Sequence, residues 1–170
     1  MRETPLFQLK PISSEAIPEA LSKAERYRLL NEPWQAESIC LDVLQIDPGN
    51  QRATTTLLLS LTDQFGKGVT VAKARELLTK IYNEYEREYY GGIISERWAE
   101  SLLRQGAPGA GFAAYESLHD AMAHYERAEA IRPHGNDEAL LRWNTCARIL
   151  MRNRELRPRG AEKFEPAFED

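Results

Sequence analysis

Two stretches of this 170-residue chain, Ala36 to Pro48 and Ala121 to Pro133, carry one pattern at a fixed offset of 85 residues. Ala36 aligns with Ala121, Cys40 with Tyr125, Val43 with Ala128, Ile46 with Ile131 and Pro48 with Pro133. Each copy places a small residue, then an aromatic or medium apolar one four later, then a slim one, then Ile-x-Pro. Residues at such spacings share one face of a helix, and a proline lacks the N–H needed to continue it. Both copies therefore predict an amphipathic helix with an abrupt end. A recurring helix of this kind points to stacked hairpins that present a surface, and away from a single catalytic pocket.

Apolar spacing along the chain predicts seven helices and no strand. The first covers about Glu15 to Leu30, with Leu21, Ala24 and Tyr27 inward and Pro18 in its opening turn. Pro33 opens the second, in which Ala36, Ile39, Cys40, Val43 and Leu44 make a full apolar face. Asp47-Pro48-Gly49 stops it, and Asn50 is placed to cap the third helix, Arg52 to Gln64, which presents Leu58, Leu61 and Phe65. After a looser connection with Gly66 and Gly68, a long fourth helix is expected from Val71 to Tyr90. Ala74, Leu78, Ile81, Tyr82, Tyr85 and Tyr89 lie along one side of it, Tyr90 falls outside, and Gly91-Gly92 ends it.

The fifth helix, Ile93 to Gln105, carries Trp98, Ala99, Leu102 and Leu103, and Gly106 to Gly111 reads as an inserted loop. The sixth, Phe112 to Ile131, bears the second copy of the pattern, and Pro133 to Asn136 repeats the stop and cap. The seventh, Asp137 to Glu155, is expected to bury Ala139, Trp143, Cys146, Ala147 and Leu150. Residues 1–14 form an extended N-terminal segment and residues 15–155 one helical domain. The charged segment 156–170 is expected to be mobile.

Helix pairs joined by short turns and marked small-aromatic-small-Pro resemble tetratricopeptide repeats, whose units of about 34 residues are two antiparallel helices each. Ala24, Tyr27, Ala36, Val43 and Pro48 fill most of that signature in a first unit, with Cys40 where an aromatic is usual. Ala99, Leu102, Ala121, Tyr125, Ala128 and Pro133 fill it in a third. A degenerate middle unit is matched by Leu58, Leu61, Ala74, Leu78 and Ile81, without a closing Pro. The offset exceeds two such repeats by about 17 residues, assigned to the Gly66 turn, the end of the fourth helix and chiefly the Gly106–Gly111 insertion. The resemblance implies an all-α, right-handed solenoid of about three hairpins with a C-terminal capping helix. One hairpin cannot bury both its apolar faces, so about three are needed for stability.

The resemblance also implies a function: a non-catalytic adaptor or scaffold holding a peptide or helix in a concave groove lined by the first helix of each pair. Here that surface comprises Leu21, Glu25, Arg28, Arg52, Thr55, Leu59, Thr62, Glu96 and Glu100. Leu21 and Glu25 stand where chaperone-binding members place Lys and Asn to clamp a terminal carboxylate, so a chaperone tail is not the expected ligand. A second surface is read on the seventh helix. Arg142 to Gly160 holds six Arg and one Glu, a charge of +5 in a chain whose remainder is −9. Leu141, Arg142, Arg148, Ile149 and Arg152 share its outer side, where a terminal cap would be polar throughout. That mixture suits an anionic or protein partner, or self-association into a structural homo-oligomer.

Other chemistry finds little support in the residues. Gly66-Lys67-Gly68-Val69-Thr70 lacks the strand, the earlier glycine and the adjacent hydroxyl of a phosphate loop. His119, His124 and His134 have no i, i+4 pair and Cys40 and Cys146 no ligand spacing, so neither a metal nor another cofactor is expected. No Ser or Cys sits in a nucleophile motif, and an enzyme is not expected. Net charge of −4 argues against nucleic acid as the general partner. No apolar run is long enough to cross a membrane. Two cysteines on apolar stripes suggest buried free thiols and a reducing cytoplasm.

Overall fold

Side-chain caps from Asn50, Thr70 and Asn83 start three of the helices in the computed structural model, which describes residues 6–160. A 3₁₀ turn at Ser14–Ala16 leads into α1, Ile17–Leu29, followed by α2, Pro33–Ile46, and α3, Gln51–Thr62. Then come α4, Val71–Glu76, with a 3₁₀ turn Leu77–Lys80, α5, Glu84–Gln105, α6, Ala110–Ala130, and α7, Glu138–Arg152. No strand occurs among the described residues; Phe65 and Val69 form a single isolated bridge. The protein is all-α, and it divides after Leu61 into two compact units.

In residues 1–61, α1 and α2 pair as a hairpin across the Leu30–Glu32 turn. Asn31 takes a positive φ of 59° there, a conformation Asn tolerates better than most residues. The core is the expected stripe: Leu21, Ala24, Ala36, Cys40 and Val43 are all buried. Asn50 caps α3 as expected, its Oδ1 accepting from the Ala53 N–H at 2.9 Å. Residues 6–13 have no regular structure. Residues 1–5 of that segment lie outside the described residues.

In residues 62–170 the long fourth helix does not form. The chain leaves helix after Lys80, Ile81 is extended, and Asn83 starts a new helix by accepting the Glu86 N–H on Oδ1 at 3.0 Å. Asn83-x-x-Glu86 is the spacing of a capping box, a start signal inside what periodicity alone reads as one helix. Tyr82 falls in the break and is 72% exposed, so it leaves the expected tyrosine stripe, whereas Tyr85 is buried and Tyr89 and Tyr90 half-buried. Asn83→Ala is expected to cost about 1 kcal/mol of stability, read as a lower denaturation midpoint.

Gly91-Gly92, expected to terminate a helix, lies in the middle of α5. The physical reason is the neighbour. A Cβ on Gly91 would sit 2.7 Å from the His124 ring, and one on Gly92 2.3 Å from the Tyr125 ring. Glu88 meets Arg127, Gly91 meets His124 and Ser95 meets Asp120, a descending order that makes α5 and α6 antiparallel. The glycines let these two helices approach closely, and α5 really ends at Gly106, whose left-handed φ of 62° donates its N–H to the Leu102 carbonyl.

The Gly106–Gly111 insertion is shorter than expected: residues 106–109 form a turn between α5 and α6. Ala110 and Gly111 belong to α6, and the turn joins two helices of 22 and 21 residues. The shared pattern behaves alike in both units. Ala36, Cys40 and Val43, and Ala121, Tyr125 and Ala128, are all fully buried, while Ile46 and Ile131 are exposed. On α7, Ala139 and Cys146 are buried and Trp143, Ala147 and Leu150 half-buried. Beyond α7 the chain returns to α6. Leu156 is buried and the Glu155 carbonyl oxygen lies 2.9 Å from where a Cβ on Gly111 would be, so the chain packs on α6 there, while residues 157–160 are exposed. Residues 161–170 of that segment lie outside the described residues.

Candidate interaction surfaces

The first-helix face of residues 1–61 is built around one ion pair. Arg52 of α3 donates from Nε to Glu25 Oε1 at 2.7 Å and from Nη2 to Oε2 at 3.0 Å, joining α3 to α1. The same Nη2 donates to Ser22 Oγ at 3.2 Å. The Arg52 guanidinium holds the Glu25 carboxyl below its ordinary range. Both side chains remain 45% exposed, so solvent screens the pair and its contribution to stability is about 0.2–1 kcal/mol. Beside it, Thr55 donates its hydroxyl to the Gln51 carbonyl at 3.1 Å, and Arg28 and Leu59 are half-buried. Leu21, expected on this surface, is 2% exposed because it belongs to the Leu21–Ala24 core stripe.

The opposite face of α2 carries apolar residues that the hairpin does not cover. Trp34 is 62% and Leu41 53% exposed, seven positions apart on the side away from Ala36, Cys40 and Val43. Leu41, Asp42 and Gln45 border a surface cleft of about 660 Å³ with Phe7 to Pro11 of the N-terminal segment. Attention to the main apolar stripe hides this second one, although Trp34 and Leu41 are legible at helical spacing.

Three other expected contact residues fall in residues 62–170. Thr62 is buried and accepts from Arg97 Nη1 at 2.9 Å, and the same nitrogen forms an ion pair with Asp63. Glu96 is 1% exposed and faces the interior between α5, α6 and α7. Its Oε2 accepts from the Tyr125 hydroxyl at 2.5 Å, and its Oε1 accepts from Arg142 Nη1 at 3.2 Å. Thr62 and Glu96 are therefore structural and not contact residues, while Glu100, one turn beyond Glu96, is exposed. Burial raises the Glu96 carboxyl above its ordinary range, and the Tyr125 hydroxyl and Arg142 offset that only in part. Burial also drives the Tyr125 phenol far up, so it stays protonated and donating.

A second polar cluster links α5 and α6 nearer the surface. His124 Nδ1 lies 2.7 Å from Glu88 Oε2, and Arg127 Nε donates to the same oxygen at 3.0 Å. Burial opposes ionisation of Glu88, but the bonds from His124 and Arg127 outweigh it and hold that carboxyl low. Ser95 donates to Asp120 Oδ2 at 2.5 Å, and Ser117 donates to the Ser95 carbonyl at 2.7 Å. Ser95 is fully buried, and these two bonds fasten α5 to α6. His119 stacks obliquely on Tyr115, with ring centroids 4.4 Å apart. Among the described residues no group of three or more His, Cys, Asp or Glu is placed to hold a metal ion.

Both cysteines are free and buried, as their stripes imply. Burial pushes each thiol up to about 12, which leaves almost no reactive thiolate at neutral pH.

On α7 the outer face differs from the expected one at Arg142. That side chain turns inward to Glu96, because its position borders the Ala139–Cys146 seam instead of opposing it. Ile149 is half-buried, while Leu141, Arg148 and Arg152 are exposed. Leu141 is 65% and Met151, absent from the expected surface, 81% exposed. No described helix is long and apolar enough to cross a membrane. No protein-family model, no curated protein and no solved structure matches this chain.

Proposed function

We propose that the chain is a non-catalytic protein-interaction module, a right-handed tetratricopeptide-like stack of hairpins that holds a partner's peptide or helix on its first-helix face. The observation that carries this reading is the Glu25–Arg52 pair with Ser22 at its side, since these polar groups are already fixed in place yet remain half exposed. A surface ordered before binding loses little side-chain freedom on complex formation, so more of its contact energy appears as affinity. Arg28, Thr55 and Leu59 flank the pair and extend the strip with a cation, a hydroxyl and an apolar side chain. Exposed Trp34 and Leu41 on α2 add apolar area of the kind that marks interaction sites.

Capture from a lysate of the source cells at about 150 mM salt, where screening acts over ~8 Å, tests the proposal. One partner should be enriched by the wild type and lost with Arg52→Glu or Thr55→Arg. Circular dichroism should show unchanged helix, because an exposed pair of this sort contributes no more than about 1 kcal/mol to stability. Retention of the same partner by both variants would refute binding at this face.

A further inference from the structure

The face of α7 turned away from α6 has no role in the fold or in the strip described above. Ala139 and Cys146 make the buried seam, which leaves Leu141, Asn144, Thr145, Arg148, Met151 and Arg152 outward and exposed. Leu141 and Met151 lie ten positions apart, about 15 Å along the axis, with Arg148 and Arg152 one turn apart on the same face. Three other arginines of residues 62–170 are matched across helices or turns by carboxylates: Arg97 by Asp63, Arg127 by Glu88 and Arg142 by Glu96. Arg148 and Arg152 have no such partner among the described residues, and α7 holds no acidic residue after Glu138.

We propose that this face docks an acidic amphipathic segment of a partner protein, with apolar side chains against Leu141 and Met151 and carboxylates against Arg148 and Arg152. Charge selects among occupants. A second copy applied through the same face would set arginines against arginines. A nucleic acid would meet apolar side chains between the cations, on a chain whose other residues carry −9. An acidic segment answers both features, pairing unpaired guanidinium groups bidentately while covering two exposed apolar side chains.

The probe is a fluorescein-labelled synthetic helix bearing Glu at i, i+4 and Leu between, added to the full-length chain. Its control has Lys for every Glu. Anisotropy should show binding of the acidic peptide alone, weakening by about tenfold or more from about 50 to about 300 mM salt, as screening of exposed charges requires. Arg148→Glu/Arg152→Glu and, separately, Leu141→Glu should each reduce affinity about tenfold or more, the scale of one lost anchor. All three positions are exposed, so the helical signal should persist.

No binding of the acidic peptide, or equal binding to the double Arg variant, would overturn the assignment. So would a dimer in sedimentation that Leu141→Glu disperses, which would give the face to a second copy. Preferential binding of single-stranded nucleic acid through the same arginines would also overturn it. Tighter peptide binding by the full chain carrying Glu165→Lys/Glu169→Lys would give the face to the chain's own acidic C-terminal residues and remove the separate partner.

Discussion

Gly92→Ala is expected to lower the stability of the fold by about 2 kcal/mol or more, although alanine in an open helix interior gains ~1 kcal/mol over glycine. The two expectations differ in sign, which makes chemical denaturation decisive. A Cβ at this position would lie 2.3 Å from Tyr125 Cε1 and 2.6 Å from Cδ1, closer than any side chain tolerates. Tyr125 cannot move aside cheaply. It is fully buried, its hydroxyl is bonded to Glu96, and its ring lies 6.0 Å from that of Tyr89. Relief must come from separating α5 and α6, the most extensive helix pairing in residues 62–170, and overpacking of that kind typically costs about 1–3 kcal/mol. Gly91→Ala meets the half-buried His124 ring instead and should cost less. A Gly92→Ala variant as stable as the wild type would mean that the close approach is not required.

The second large effect belongs to Glu96. Glu96→Ala removes the acceptor of a buried phenol and the partner of Arg142, and it leaves unfilled volume between three helices. Losses of about 2–4 kcal/mol follow from an unsatisfied buried donor, a severed ion pair and a cavity together. Glu96→Gln keeps an oxygen for the Tyr125 hydroxyl and should lose less. The two variants also separate in pH dependence. The Glu96 carboxyl is raised in the folded state by burial, from an ordinary 4.5. The folded form therefore binds this proton more tightly than the unfolded one, so the contribution is complete below 4.5 and is lost as pH rises through the folded value. Relative to Glu96→Gln, the wild type should lose stability as pH rises above 4.5. A difference between them that stays flat with pH would show that Glu96 titrates normally.

Local patterns foretold local structure and failed where a neighbour decided. The proline start of α2, the Asn50 cap of α3, the buried Ala36–Cys40–Val43 and Ala121–Tyr125–Ala128 faces and the all-helical class were legible, because spacing, proline and capping chemistry act within a few residues. A glycine pair is ambiguous by comparison. It ends a helix when nothing else supports it, and it stays helical when a tyrosine packs against it. The Asn83 cap was readable in principle, but the apolar period running through it suggested one continuous helix. Among the expected surface residues, Glu25, Arg52 and Thr55 lie where helical phase puts them, while Leu21, Thr62, Glu96 and Arg142 turn inward.

Sequence alone determined the helices of residues 6–61, the core stripe of each hairpin and the basic, partly apolar outer side of α7. Their causes are local: period, caps, proline and charge. Tertiary structure decided the rest. It carried α5 through Gly91-Gly92, buried Glu96 with Tyr125 and Arg142, and left Arg148, Met151 and Arg152 unmatched at the surface. Which glycine is a stop and which carboxylate is a core residue depends on what another helix, some thirty residues away, brings to the same point in space.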